Sequence, residues 1–206
     1  GDALTVGSSN TAIGKDALTS EVAGHNNTAI GKGALQAQTT ASSGTVANTG
    51  VGRDAGLAIT SGIQNTLIGA NTGTALTDAD FNTAVGQQAL LTDTKGNKTT
   101  AIGHGALGTQ NFTSSTDTHN TAVGFAAGAA TTTGVQNTIM GSQAGDALTD
   151  ADQNVAIGYL ALTTDTKGNQ SVAIGVNALG TQNFTSSTNT GNVAVGRGAG
   201  EAVTTG

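Results

Sequence analysis

NTAVGQQALLTDTKGNK, residues 82–98, is the stretch whose reading decides the fold. Its opening phrase returns along the chain as NTAIG, NTAIG, NTGVG, NTLIG, NTAVG, TTAIG, NTAVG, NTIMG, NVAIG, SVAIG and NVAVG. These phrases end at Gly14, Gly31, Gly52, Gly69, Gly86, Gly103, Gly124, Gly141, Gly158, Gly175 and Gly196. Successive glycines stand 17 residues apart, except for three intervals of 21. A fixed period of this size is the signature of stacked small units, each unable to bury its apolar face alone. We call each unit a lap.

The interval pattern itself repeats every 72 residues, so Gly14, Gly86 and Gly158 are equivalent. Residues 93–116 and 165–188 differ at only five of 24 positions, which indicates tandem duplication. The chain opens and closes in mid-lap, so it reads as a segment of a longer repetitive protein. Residues 1–206 read as one continuous array.

Within the lap, Thr83-Ala84-Val85 has the β-branched character of a short strand, with Thr83 and Val85 on one side and Ala84 on the other. The residue before each glycine is always large and apolar: Ile13, Ile30, Val51, Ile68, Val85, Ile102, Val123, Met140, Ile157, Ile174, Val195. That column is expected to face inward as the core of the repeat. The small residue between, as at Ala84 or Ala101, is expected to face out and let another surface approach. Gly86 and its equivalents suit a corner that other residues resist. Ala89 and its equivalents fit the inside of a narrow coil, and a second short strand is expected near Leu90. Gly96 and its equivalents mark the closing turn. Stacked in register at about 4.8 Å, such laps form a parallel β-solenoid, with the phrase-opening Asn residues in a column.

Composition narrows the function. Aromatics are 2 % and Cys and Pro are absent, so no ordinary core or disulfide framework is available. Disorder fits the Gly-, Thr- and Asn-rich composition but not the regularity of the apolar column. The formal net charge of -6 argues against nucleic acid. No apolar run is long enough to span a membrane. One lap buries little, so stability must come from many laps or from several chains packed together. A homotrimer through the Ala column is the expectation.

The phrases carry a resemblance. SVAIGVNAL, residues 171–179, is very similar to the repeat of the YadA-like head, a left-handed parallel β-roll of trimeric autotransporter adhesins. The longer NTAVGxxAL form resembles repeat arrays of phage tail fibres and related bacterial surface proteins. The resemblance covers essentially the whole chain. It implies an all-β, left-handed, homotrimeric and extracellular fibre on a virion or cell surface.

Three features are candidate sites. The longer laps give loops at residues 36–47, 108–119 and 180–191, and Phe112 and Phe184 lie in the last two. Each Phe is a candidate contact to a host glycan or protein receptor, or else a cover for the edge of the roll. Asp78 and Asp80, and again Asp150 and Asp152, open a D-x-D-x-N pattern that suits Ca²⁺, but the Gly and Glu of a full loop are missing. A solvated turn is the simpler reading. His25, His104 and His119 do not recur, and no catalytic triad or zinc spacing is legible. No enzyme activity and no cofactor are expected. The leading function is a structural fibre or adhesin segment. The alternative is an ice-binding solenoid presenting the Thr column (Thr11, Thr28, Thr49, Thr66, Thr83, Thr100, Thr121, Thr138).

Overall fold

In the computed structural model, which describes residues 1–40 and 44–205, the chain is an all-β parallel solenoid without a helix. Eleven three-residue strands, from Thr11–Ile13 to Val193–Val195, form one parallel sheet. Their spatial order is their chain order, so every lap lies on the one before it. Equivalent residues superpose: Thr66 pairs with Thr83, Leu67 with Ala84 and Ile68 with Val85. At about 4.8 Å per step the stack is about 50 Å long.

The expected second strand does not form near Leu90, where the chain is turn. Short second ladders lie instead in the closing turns and only where a longer lap is involved. Gly24–His25 pairs with Gly44–Thr45, Gly96–Asn97 with Thr116–Asp117, and Gly168–Asn169 with Thr188–Asn189.

The strand faces are the reverse of the expectation. The central residue points inward: Ala29, Leu67, Ala84, Ala101, Ala122, Ala156 and Ala173 have no exposed surface. The column of Ile13, Ile30, Val51, Ile68, Val85, Ile102, Val123, Met140, Ile157, Ile174 and Val195 points outward and is half-buried or exposed throughout. The cause is the width of the coil. Its interior is narrow, and the space that a large mid-strand side chain would need is already taken. In the lap of Ala84 it is taken by Leu90, and in the lap of Ala101 by Leu107, all fully buried. An Ile in mid-strand would overfill these levels.

The laps that lack this Leu show the same constraint. Gly73 occupies the position of Leu90, and the interior is filled from elsewhere by Leu67 and Leu76. A Cβ on Gly73 would come within 2.9 Å of both side chains. Backbone geometry explains why Leu and Gly alternate there. The position has positive φ in every case, 52° at Leu90 and 56° at Gly73. Leu fills space at a cost of about 1–2 kcal/mol in left-handed backbone, and Gly relieves that strain but leaves space.

The corner is stricter. Gly86 has φ 132°, and a Cβ there would sit 2.5 Å from the Gly103 carbonyl oxygen directly above. The phrase-opening Asn residues form the expected column, buried from Asn27 to Asn154. Asn65 Oδ1 accepts the Asn82 amide at 3.0 Å, Asn82 Oδ1 accepts the Thr99 amide at 2.9 Å, and Asn82 Nδ2 donates to the Gly96 carbonyl at 2.9 Å. Asn82 therefore ties its strand to the next lap and to its own closing turn, and Asn48, Asn65, Asn120, Asn137 and Asn154 do the same. These bonds replace the cohesion that a thin apolar interior lacks.

Candidate functional site

The outward side of the sheet presents two parallel columns. One is Thr, half-exposed at Thr28, Thr49, Thr66, Thr83, Thr100 and Thr121, with Val at Val155 and Val172. The other is the Ile/Val column, where Ile68 is 39 % and Met140 46 % exposed in mid-stack. In-register pairing repeats both columns at the strand spacing, so the face is a ruled array of hydroxyl and apolar groups.

Past the corner glycine the chain raises a ridge. Its positions are Lys15, Lys32, Arg53, Ala70, Gln87, His104, Phe125, Ser142, Tyr159, Val176 and Arg197. Cations occupy its first three steps and an aromatic group its middle. Phe125 and Tyr159 are 56 % and 50 % exposed, and the His104 and Phe125 rings stack with centroids 5.3 Å apart. Sequence reasoning missed this aromatic group by looking for aromatics in the loops. The residue after each corner glycine, read down the laps, would have revealed it. A shallow recess lined by Val176, Asn177, Arg197, Gly198 and Glu201 lies further along the same ridge.

The loop aromatics sit differently. Phe112 is buried and Phe184 half-buried. Their amides donate to the carboxylates of Asp93 and Asp165 at 3.0 and 2.9 Å. The first longer loop includes residues 41–43, which lie outside the described residues.

The acid pairs are engaged within the protein. Asp78 and Asp150 each face a lysine, Lys95 and Lys167, at 3.5 Å. Asp80 and Asp152 each accept a backbone amide of the preceding lap, Ile63 and Val135, at 2.8 Å. Among the described residues no three His, Cys, Asp or Glu side chains gather into a metal-holding group.

A different set of acids, unremarked in the sequence, is fully buried. Glu21, Asp93 and Asp165 each lie one lap before a longer one and organise it. Asp93 accepts Gln110 Nε2 at 2.6 Å and the amides of Gly96 and Phe112, and Gln110 Oε1 accepts Asn120 Nδ2 at 2.9 Å. Asp165, Gln182 and Asn192 repeat this relay, as do Glu21, Gln38 and Asn48. Burial pushes the Glu21 carboxyl up. Hydrogen bonds from Gln38 and from the amides of Gly24, Thr40 and Ala23 outweigh burial and hold it below its ordinary value.

Of the histidines, His25 Nδ1 lies 2.9 Å from Ser8 Oγ and also accepts the Ser8 amide, an arrangement that ties two laps together. Among the described residues no helix is long and apolar enough to cross a membrane. No protein-family model matches the chain, and neither curated proteins nor solved structures give a significant match.

Proposed function

We propose that this chain is a segment of a non-enzymatic structural fibre, built of left-handed laps of 17 and 21 residues within a 72-residue super-repeat. Three copies pack together as a homotrimeric rod for attachment at a cell or virion surface, as in a phage tail fibre or bacterial adhesin. The observation that carries this reading is the outward Ile/Val column, half-buried or exposed along the length of the sheet, on a side that nothing among the described residues covers. Exposed apolar surface of this extent marks an interaction site. Because every lap repeats the same face, a second copy in register meets the same chemistry at each step. The packing face is thus the Ile/Val column and not the Ala column, which lies inside the coil.

Sedimentation equilibrium tests the reading. The expected species is three times the 19.9 kDa chain. Ile68→Asp with Ile102→Asp should give monomers that keep the circular dichroism of the parent. A parent that stays monomeric at high concentration overturns the proposal.

One observation favours the ice-binding alternative: the Thr column lies on that same outward face at the strand spacing. The two readings compete for one surface, since a trimer that buries the face cannot offer it to ice. A monomer with thermal hysteresis selects the ice-binding reading.

A further inference from the structure

The aromatic part of the ridge has no structural task in the fold. Phe125 and Tyr159 project from the coil, each with half or more of its surface exposed, in a chain that has five Phe and Tyr residues in all. They hold the same position in laps two steps apart, with the small Ser142 between them. At about 4.8 Å per lap the two positions are about 9.6 Å apart. A ring placed midway lies about 4.8 Å from each, inside the range of about 4.5–7 Å at which stacked rings attract. Behind Phe125 the slot is braced, because His104 stacks on the far side of that ring with an interplanar angle of 14°. With His104 stacked on one face, the other face of Phe125 is left for a ligand.

We propose that Phe125 and Tyr159 form a slot that takes one neutral hexopyranose ring of a glycan, with Ser142 as its floor. The apolar C–H faces of the sugar stack on the two rings, while its equatorial hydroxyls reach the polar groups beside them. Those groups are the Ser142 hydroxyl and the amide of Gln143, which follows Ser142 in the same lap. The sugar is neutral because this part of the ridge is neutral. From Gln87 to Asn177, no residue one or two places past a corner glycine is an acid, Lys or Arg. The basic steps are Lys15, Lys32 and Arg53 at the far end of the stack and Arg197 at the near end, two laps past Tyr159. This slot gives the attachment reading a ligand class and rests on that reading only for its biological purpose, since the ridge stands beside the packing face and not on it.

The test exploits composition. Tyr159 is the one Tyr and Trp is absent, so intrinsic emission excited at the tyrosine band reports on the slot. Cellohexaose, maltohexaose, chitohexaose and mannohexaose are titrated separately into the full chain. At least one should change Tyr159 emission saturably in the millimolar range or below. Phe125→Ala should weaken that binding at least tenfold, and Phe81→Ala, which removes an exposed Phe elsewhere, should leave it unchanged. No saturable response to any of the four sugars overturns the proposal, as does equal binding by Phe125→Ala. A response to p-cresol with none to the sugars also overturns it, in favour of an aromatic side chain of a protein partner. Sedimentation of the same samples keeps the two proposals separable, because Phe125→Ala leaves the packing face intact.

Discussion

Two stretches of one interior column solve the same packing problem in opposite ways. Eleven residues past the phrase opening, successive laps carry Ile59 and Leu76, then Asp93 and Gln110, then Thr131 and Leu148, then Asp165 and Gln182. All eight are fully buried. Where the following lap is short, aliphatic groups fill the column. Where it carries a longer turn, a carboxylate and a glutamine replace them. The difference teaches that the longer turns are not loose additions. Extra backbone brings extra amides into the interior, and a buried acid one lap earlier accepts them. The polar pair also fixes register, because Asp93 bonds correctly only with Gln110 one lap on.

The comparison is broken most severely by removing the acid alone. Asp93→Ala leaves Gln110 Nε2 and the amides of Gly96 and Phe112 without their acceptor. The expected loss is about 3 kcal/mol, concentrated in the longer lap. Hydrogen exchange at Gly96 and Phe112 should quicken, while amides around Leu76 stay protected. Uniform destabilisation along the stack would contradict the local role. Next in size is the replacement of both partners by the aliphatic solution. Asp93→Leu with Gln110→Leu should cost less than the two single changes together, with a coupling of about 1–2 kcal/mol in a double-mutant cycle. It should not recover the parent, because the Phe112 amide still lacks an acceptor. Strict additivity would show that the pair does not act as a unit.

Acid should sharpen the contrast further at the first relay. The folded pKa of Glu21 lies below its ordinary 4.5. Its contribution is therefore fully present above pH 4.5 and is lost as pH falls through the folded value. Protection from exchange at Gly24 and Thr40, whose amides bond Glu21, measured against the intrinsic rate at each pH, should fall as pH drops below 4.5. Glu21→Gln should flatten that dependence. A parent with pH-independent protection there would remove the acid from the account.

Much of this was legible in residues 82–98 and their copies. The spacing of the corner glycines predicts the parallel stack, its register and the Asn column. The facing of the strand was not legible, because alternation in Thr83-Ala84-Val85 defines two sides without saying which is inner. Size suggests that Val85 is inside. The answer depends on Leu90, which enters the same interior from across the coil, and such competition between distant positions has no local signature. The alternation of Leu and Gly at that position was a usable signal, since only a left-handed site makes Gly a regular substitute for Leu. So was the recurrence of an acid followed one lap later by Gln, at Glu21 and Gln38, Asp93 and Gln110, and Asp165 and Gln182. The outward surface was hidden for the same reason as the core. Reversing the strand moves the apolar column outside, and the exposed aromatics stand on a ridge and not in the loops.

The smallest effect concerns the one member of the column that fits neither solution. Thr131 stands where the previous super-repeat has Ile59, above Gln110 and below Leu148. It is fully buried, and among the described residues its hydroxyl has no hydrogen-bond partner. A buried hydroxyl without a partner costs free energy that a methyl group of the same shape does not. Thr131→Val keeps the volume and the β-branched backbone preference while removing the polar atom. The chain should gain about 1 kcal/mol, read as a shift of the urea midpoint to higher concentration with an unchanged slope. If the column tolerates either solution wherever the neighbours allow it, that gain should persist in the Asp93→Leu, Gln110→Leu background. A loss of stability in both backgrounds would mean that Thr131 belongs to the polar set and that the column's two solutions are less distinct than its burial suggests.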